Sequence, residues 1–112
     1  MKIKKLFIAL CAAVISTAVS FARSVPSLIG PVVDAANLLS AGQEEALDAE
    51  LRSIYENDGP QIAVLTIKSL EGEDLEDFSM KVCENWKLGS ADREDGVLLL
   101  VSLDEKKIRI EV

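Results

Sequence analysis

Two short apolar runs constrain this chain most. Gln61 to Lys68 reads Gln-Ile-Ala-Val-Leu-Thr-Ile-Lys, and Val97 to Leu103 reads Val-Leu-Leu-Leu-Val-Ser-Leu. Each is bounded by turn residues and too short for a helix of ordinary length. Near-continuous apolar runs of this kind are strands covered on both faces. The residues between them carry a helical pattern from about Leu75 to Lys87. Leu75, Phe78, Val82 and Trp86 share one face, and Asp74 stands where a cap belongs, with Glu76 and Asp77 in the first turn. Strand, helix and strand in that order make a parallel crossover, with right-handed connection as the rule. After Asp104-Glu105, the segment Lys106–Val112 alternates. Ile108, Ile110 and Val112 fall on one face, and Lys107, Arg109 and Glu111 on the other. That pattern is a half-exposed strand folded back as a hairpin.

A further helix precedes the first run. Ser40-x-x-Gln43 is a capping box, and Glu44 and Glu45 suit the positive end of the helix dipole. Leu47, Leu51, Ile54 and Tyr55 form its apolar stripe. Asn57-Asp58-Gly59-Pro60 stops it, with Gly59 suited to the left-handed position. Residues 23–39 hold Pro26, Gly30 and Pro31 and read as an extended lead-in, in which Val32 and Val33 can start a short strand. The expected order is helix, strand, helix, strand, strand. The expected fold is an α/β layered sandwich: a mixed central sheet, with one parallel crossover and a C-terminal hairpin, flanked by helices.

The N-terminus reads as an export signal. Lys2, Lys4 and Lys5 precede an apolar stretch from Leu6 to about Val19, and Ser20-Phe21-Ala22 has the small-x-small form of a cleavage site. The stretch is short for a membrane span of about 20 residues. Leu10 before Cys11 argues against a lipoprotein site. Cleavage after Ala22 leaves a single domain over residues 23–112, without a membrane span, destined for the periplasm or the extracellular side. The whole chain of 112 residues has 12 Lys+Arg, 19 Asp+Glu and net charge −7. Without the three signal lysines, 9 basic residues face 19 acidic ones, a net −10. Such a charge disfavours nucleic acid as a partner. The chain has no His, so triads, Cys-His pairs and His-ligated zinc are excluded. Cys83 is then the one remaining cysteine. It reads as a small buried hydrophobe rather than a reactive thiol.

The glycines are too dispersed for a phosphate-binding loop. What remains is carboxylate. Asp92-Arg93-Glu94-Asp95-Gly96 places closely spaced carboxylates on a loop, as hard cations such as Ca²⁺ or Mg²⁺ require. Asp and Gly are equally ordinary turn residues, and Arg93 can pair with a neighbour. The loop lies at the N-terminal edge of the second apolar strand, and the hairpin returns Glu111 to that edge. Asp34 belongs at the opposite edge unless the lead-in crosses, and it serves equally well as a turn or cap residue. The candidate cation ligands are therefore Glu94, Asp95, Asp92, Glu111 and Asp34. Glu71, Glu73, Asp74, Glu76 and Asp77 form a second acidic group, explained by a helix start and a solvated face. Lys106, Lys107 and Arg109 read as protection of an edge strand.

Five segments together resemble the TPM domain family. They are Val33-Asp34-Ala35-Ala36-Asn37-Leu38-Leu39-Ser40, Gly59-Pro60-Gln61 with the strand after it, Trp86-Lys87-Leu88-Gly89, Glu94-Asp95-Gly96 with the strand after it, and Ile108-Arg109-Ile110-Glu111-Val112. The resemblance covers residues 31–112. Such domains occur in exported bacterial proteins and in thylakoid-lumen proteins. The family pattern has Asp-Asn-Gly where this chain has Glu94-Asp95-Gly96. Family members also continue past the last strand into a Gly-Tyr-Gly-Leu-Glu-like segment. The resemblance therefore implies a C-terminally incomplete domain, with apolar sheet surface left open. It implies an α/β sandwich and, for some members, cation binding through acidic loops at one end. The first functional expectation is an exported module that binds a protein partner of the cell envelope and holds a divalent cation in its acidic loop. The alternatives are a metal-dependent phosphatase, with Asp95 or Glu94 as ligand or base, and a non-functional fragment.

Overall fold

A computed structural model describes residues 23–89 and 95–112. The segment 1–22 that reads as an export signal, with Cys11, lies outside the described residues, as do Asp92, Arg93 and Glu94. Six elements follow one another: β1 (Val32–Asp34), α1 (Ala41–Glu56), β2 (Gln61–Ile67), α2 (Leu75–Trp86), β3 (Gly96–Ser102) and β4 (Lys107–Glu111). The fold is α/β with a mixed four-stranded sheet in the order β1-β2-β3-β4. β1 and β3 both run parallel to β2, and β4 returns antiparallel on β3.

The sheet has two parallel crossovers where one was expected. Val32 and Val33 belong to the sheet proper, paired with Val64 and Leu65, so β1-α1-β2 is a second strand–helix–strand unit. Three residues are too few to display a period, which is why this strand stayed faint in the sequence.

Each helix takes one face of the sheet. Leu51 of α1 packs on Val32 and Val64, joined by Leu47, Ile54, Ile62 and Leu99. Phe78, Val82 and Trp86 of α2 pack on Val33, Ala63, Leu65, Ile67, Leu98 and Leu100. Alternate residues of β2 therefore serve opposite layers, which explains its unbroken apolar run. The two crossovers step in the same direction across the sheet while using opposite faces. Units so related have opposite hands, so the right-handed rule is met by one of them and broken by the other.

The caps form as the spacing indicates. Ser40 accepts from the Gln43 amide while the Gln43 side chain accepts from the Ser40 amide. Asp74 accepts from the Asp77 amide at the start of α2. The stop after α1 differs in detail. Asp58, not Gly59, takes the left-handed conformation (φ 64°). Glycine is needed at 59 because a Cβ there would lie 2.6 Å from the Ile54 carbonyl oxygen. On the α1 side of the hairpin the sheet is open: Ile108 and Ile110 are 67% and 63% exposed. Among the described residues, no helix is long and apolar enough to cross a membrane.

Candidate functional site

The acidic loop between α2 and β3 leaves the described structure at Gly89 and re-enters it at Asp95. Its two ends are pressed together. A Cβ on Gly89 would lie 2.7 Å from the Gly96 nitrogen, and one on Gly96 would lie 2.5 Å from the Leu88 carbonyl carbon. Gln61 ties both ends at once. Its side-chain oxygen accepts from the Gly89 amide at 2.8 Å, and its own amide donates to the Asp95 carbonyl at 3.1 Å. Leu88–Gly89 and Asp95–Gly96 thus meet as a closed neck beside the first residue of β2. The Asp95 carboxylate stands at that neck, with Oδ1 buried.

Gln61 was not among the candidate residues. The one signal for it was a polar residue opening an otherwise apolar run directly after Gly59-Pro60. Its two partners, 28 and 34 positions away, become neighbours only through the sheet.

Of the other candidate ligands, Asp34 and Glu111 are described, and both carry structural loads. Asp34 ends β1 beside Thr66, at the opposite edge of the sheet from Asp95. Its carboxylate accepts from Thr66 Oγ1 at 2.5 Å and from the Leu38 and Leu39 amides at 3.0 and 2.8 Å. Burial pushes its pKa up, but these three donors outweigh burial and hold it below the ordinary aspartate value. The turn into α1 is thereby stapled to β2.

This yields a pH-dependent prediction. A depressed carboxylate contributes stability that is present above its unfolded pKa, about 3.9, and is lost as pH falls through its lower folded value. Asp34→Asn should cost about 1 kcal/mol at pH 7, and distinctly less near pH 3. Urea denaturation of both proteins at the two pH values measures it. An equal cost at both would show that the charge of Asp34 does not carry the effect.

Glu111 does return to the Asp95 edge, opposite Leu98, but on the α2 face its carboxylate is taken up. Glu111 Oε2 accepts from Arg109 Nε at 2.8 Å and from Ser79 Oγ at 3.0 Å. Arg109 is the main reason its pKa is lowered. Arg109, expected only to guard an edge, also reaches Glu76 at 3.6 Å. Among the described residues, no three carboxylate or cysteine side chains gather closely enough to hold a metal ion. The second acidic group is similarly accounted for. Glu71 pairs with Arg23 at 3.4 Å and Glu73 with Lys81 at 3.1 Å. Trp86 is a core anchor whose Nε1 donates to the Pro26 carbonyl. The Cys83 thiol is half-buried, and burial, with Glu111 and Glu84, pushes its pKa up. A thiol so placed is a poor nucleophile.

Comparison with known proteins agrees with this architecture. The family model for the TPM domain matches residues 32–112. The solution NMR structure of the N-terminal domain of a protein from P. gingivalis is similar, with TM-score 0.66 and 37% identity. The match covers 72% of this chain and 52% of that one, so the present chain spans about half the length of that relative. No curated protein matches. With the family model spanning all six elements of the sheet and its helices, the chain belongs to the TPM domain family.

Proposed function

We propose that this protein is an exported partner-binding module of the cell envelope that holds a divalent cation, Ca²⁺ or Mg²⁺, through Asp92, Glu94 and Asp95. The observation that supports this reading is the neck. Gln61, Gly89 and Gly96 hold together the ends of a short loop in which three of seven residues from 90 to 96 are acidic. A short tether lowers the entropy cost of bringing several carboxylates onto one ion. Ca²⁺, which accepts irregular sets of oxygen ligands, suits such a loop better than Mg²⁺. Asp34 and Glu111 stand outside this ligand set, because their carboxylates already serve the turn after β1 and the α2–β4 contact.

Calcium titration of the full chain by calorimetry should give saturable binding. Asp95→Asn should weaken it about ten-fold or more, and Glu111→Gln should weaken it far less. Absence of saturable binding would sink the proposal. An equal loss from both variants would return Glu111 to the ligand set.

A further inference from the structure

A cavity of about 380 Å³ opens on the α1 side of the molecule. Its walls are the lead-in from Leu28 to Pro31, the last turns of α1 and the first residues of β2. Leu51 and Ile62 line it. Around it the surface is unusually apolar for an exposed region: Leu28 is 38% exposed, Ile29 79% and Tyr55 42%. The volume lies within the range of small-ligand sites, about 300–1,000 Å³.

The electrostatics of the cavity favour one sign of charge. It opens at the C-terminal end of α1, where backbone carbonyls present the negative end of the helix dipole. No basic residue occupies the last turn to offset that end. Glu56 lines the cavity, and Asp58 follows it in the chain. Among the described residues Arg52 is the one cation in the wall, and its Nε is bound to Asp48 Oδ2 at 2.6 Å. Gly30 allows that pair to lie close, since a Cβ there would stand 3.1 Å from both Arg52 Nη2 and Asp48 Oδ1. The Ser53 and Ile54 carbonyls at the helix end accept from Asn57 and from the Gly59 amide, but with Arg52 matched by Asp48 no cation among the described residues offsets Glu56.

We propose that this cavity binds an organic cation, with an apolar body seated on Leu51 and Ile62 and an ammonium group at the end of α1 beside Glu56. Gln61, which clamps the neck of the proposed metal loop, also lines the cavity, so the two sites adjoin at that residue; the ligand chemistry here is that of an aromatic or aliphatic amine, free or on a peptide.

The test uses the full chain and follows backbone amide shifts by NMR. 2-Phenylethylamine should produce saturable shifts at Gly30, Tyr55 and Ile62. Phenylacetate has the same ring and the opposite charge, and should bind at least about ten-fold more weakly. Glu56→Gln, an exposed change that leaves the core alone, should weaken the amine about three- to five-fold. Acetyl-Phe-Lys-amide puts a ring and an ammonium on a peptide. Whichever of the two cations saturates at lower concentration identifies the free or the peptide form as the source. No saturable shifts at these residues with either cation, phenylacetate binding as well as the amine, or an indifferent Glu56→Gln would each overturn the proposal. Gly30 and Tyr55 stand away from the Gln61 clamp, so calcium should leave those two amides unshifted, and at them failure here and failure of the metal reading are read independently.

Discussion

Gly96→Ala should lower stability by roughly 3 kcal/mol or more, a loss in the range reserved for overpacking and backbone strain. The added methyl would meet backbone, not the movable end of a side chain: the Leu88 carbonyl carbon at 2.5 Å, the Gly89 nitrogen at 2.6 Å and the Leu88 carbonyl oxygen at 2.7 Å. No rotamer change relieves such a contact. The chain must part at the neck, and parting breaks the Gln61 clamp through the Gly89 amide and the Asp95 carbonyl. Because Gly96 is also the first residue of β3, paired with Gln61, the strain enters the centre of the sheet. Gly72 provides the comparison. A Cβ there meets nothing within 4 Å, so Gly72→Ala carries only the strain of its φ of 87°. Chemical denaturation of the two variants separates close approach from backbone conformation. A Gly96→Ala loss no larger than that of Gly72→Ala would show that the neck yields. In the first case cation binding should fall with stability, since the same clamp gathers the loop.

The fold and the site were unequally legible in the sequence, for physical reasons. β2 and β3 announced themselves as short unbroken apolar runs, and β4 and both helices by a burial repeat: every second residue in Lys107–Glu111, and every third or fourth in α2. β1 lacked the length for a repeat, so the second crossover appeared only in the structure. The opposite hands of the two crossovers were beyond reach, since handedness depends on which face each helix takes. The carboxylates were easy to find and hard to sort. Glu111 and Asp95 lie at one sheet edge, yet Glu111 is claimed by Ser79, 32 positions away, and by Arg109. Asp34 is claimed by Thr66 at the same separation of 32. A carboxylate's availability is decided by such distant donors. Gln61 is the converse case: a residue unremarkable in the chain that becomes central because parallel pairing brings Gly89 and Asp95 to its side.

Phe78→Ala should be the most damaging change in the core, at about 3–5 kcal/mol. Phe78 is fully buried and, among the described residues, is the largest side chain to be so. It lies between α2 and the sheet, among Leu65, Ile67, Val82 and Leu100, where a void cannot be filled without moving a strand. Its ring also has a polar use. The Arg23 guanidinium and the Lys81 ammonium lie 5.6 and 5.7 Å from the ring centroid. Both cations hold the lead-in: Arg23 Nε donates to the Ser69 carbonyl, and Lys81 Nζ to the Arg23 carbonyl. Two substitutions divide these roles. Phe78→Leu keeps most of the apolar volume and removes the π face, so it should cost about 1–2 kcal/mol, the combined scale of a shape change and two cation–π contacts. Phe78→Ala removes both. If the ring's electrostatics matter, Phe78→Leu should also raise amide exchange at Ser24 and Val25 beyond its effect on global stability, because the lead-in loosens locally. Uniform exchange across the chain in Phe78→Leu would assign the whole cost to packing and leave Arg23 and Lys81 held by their carbonyl and carboxylate partners alone.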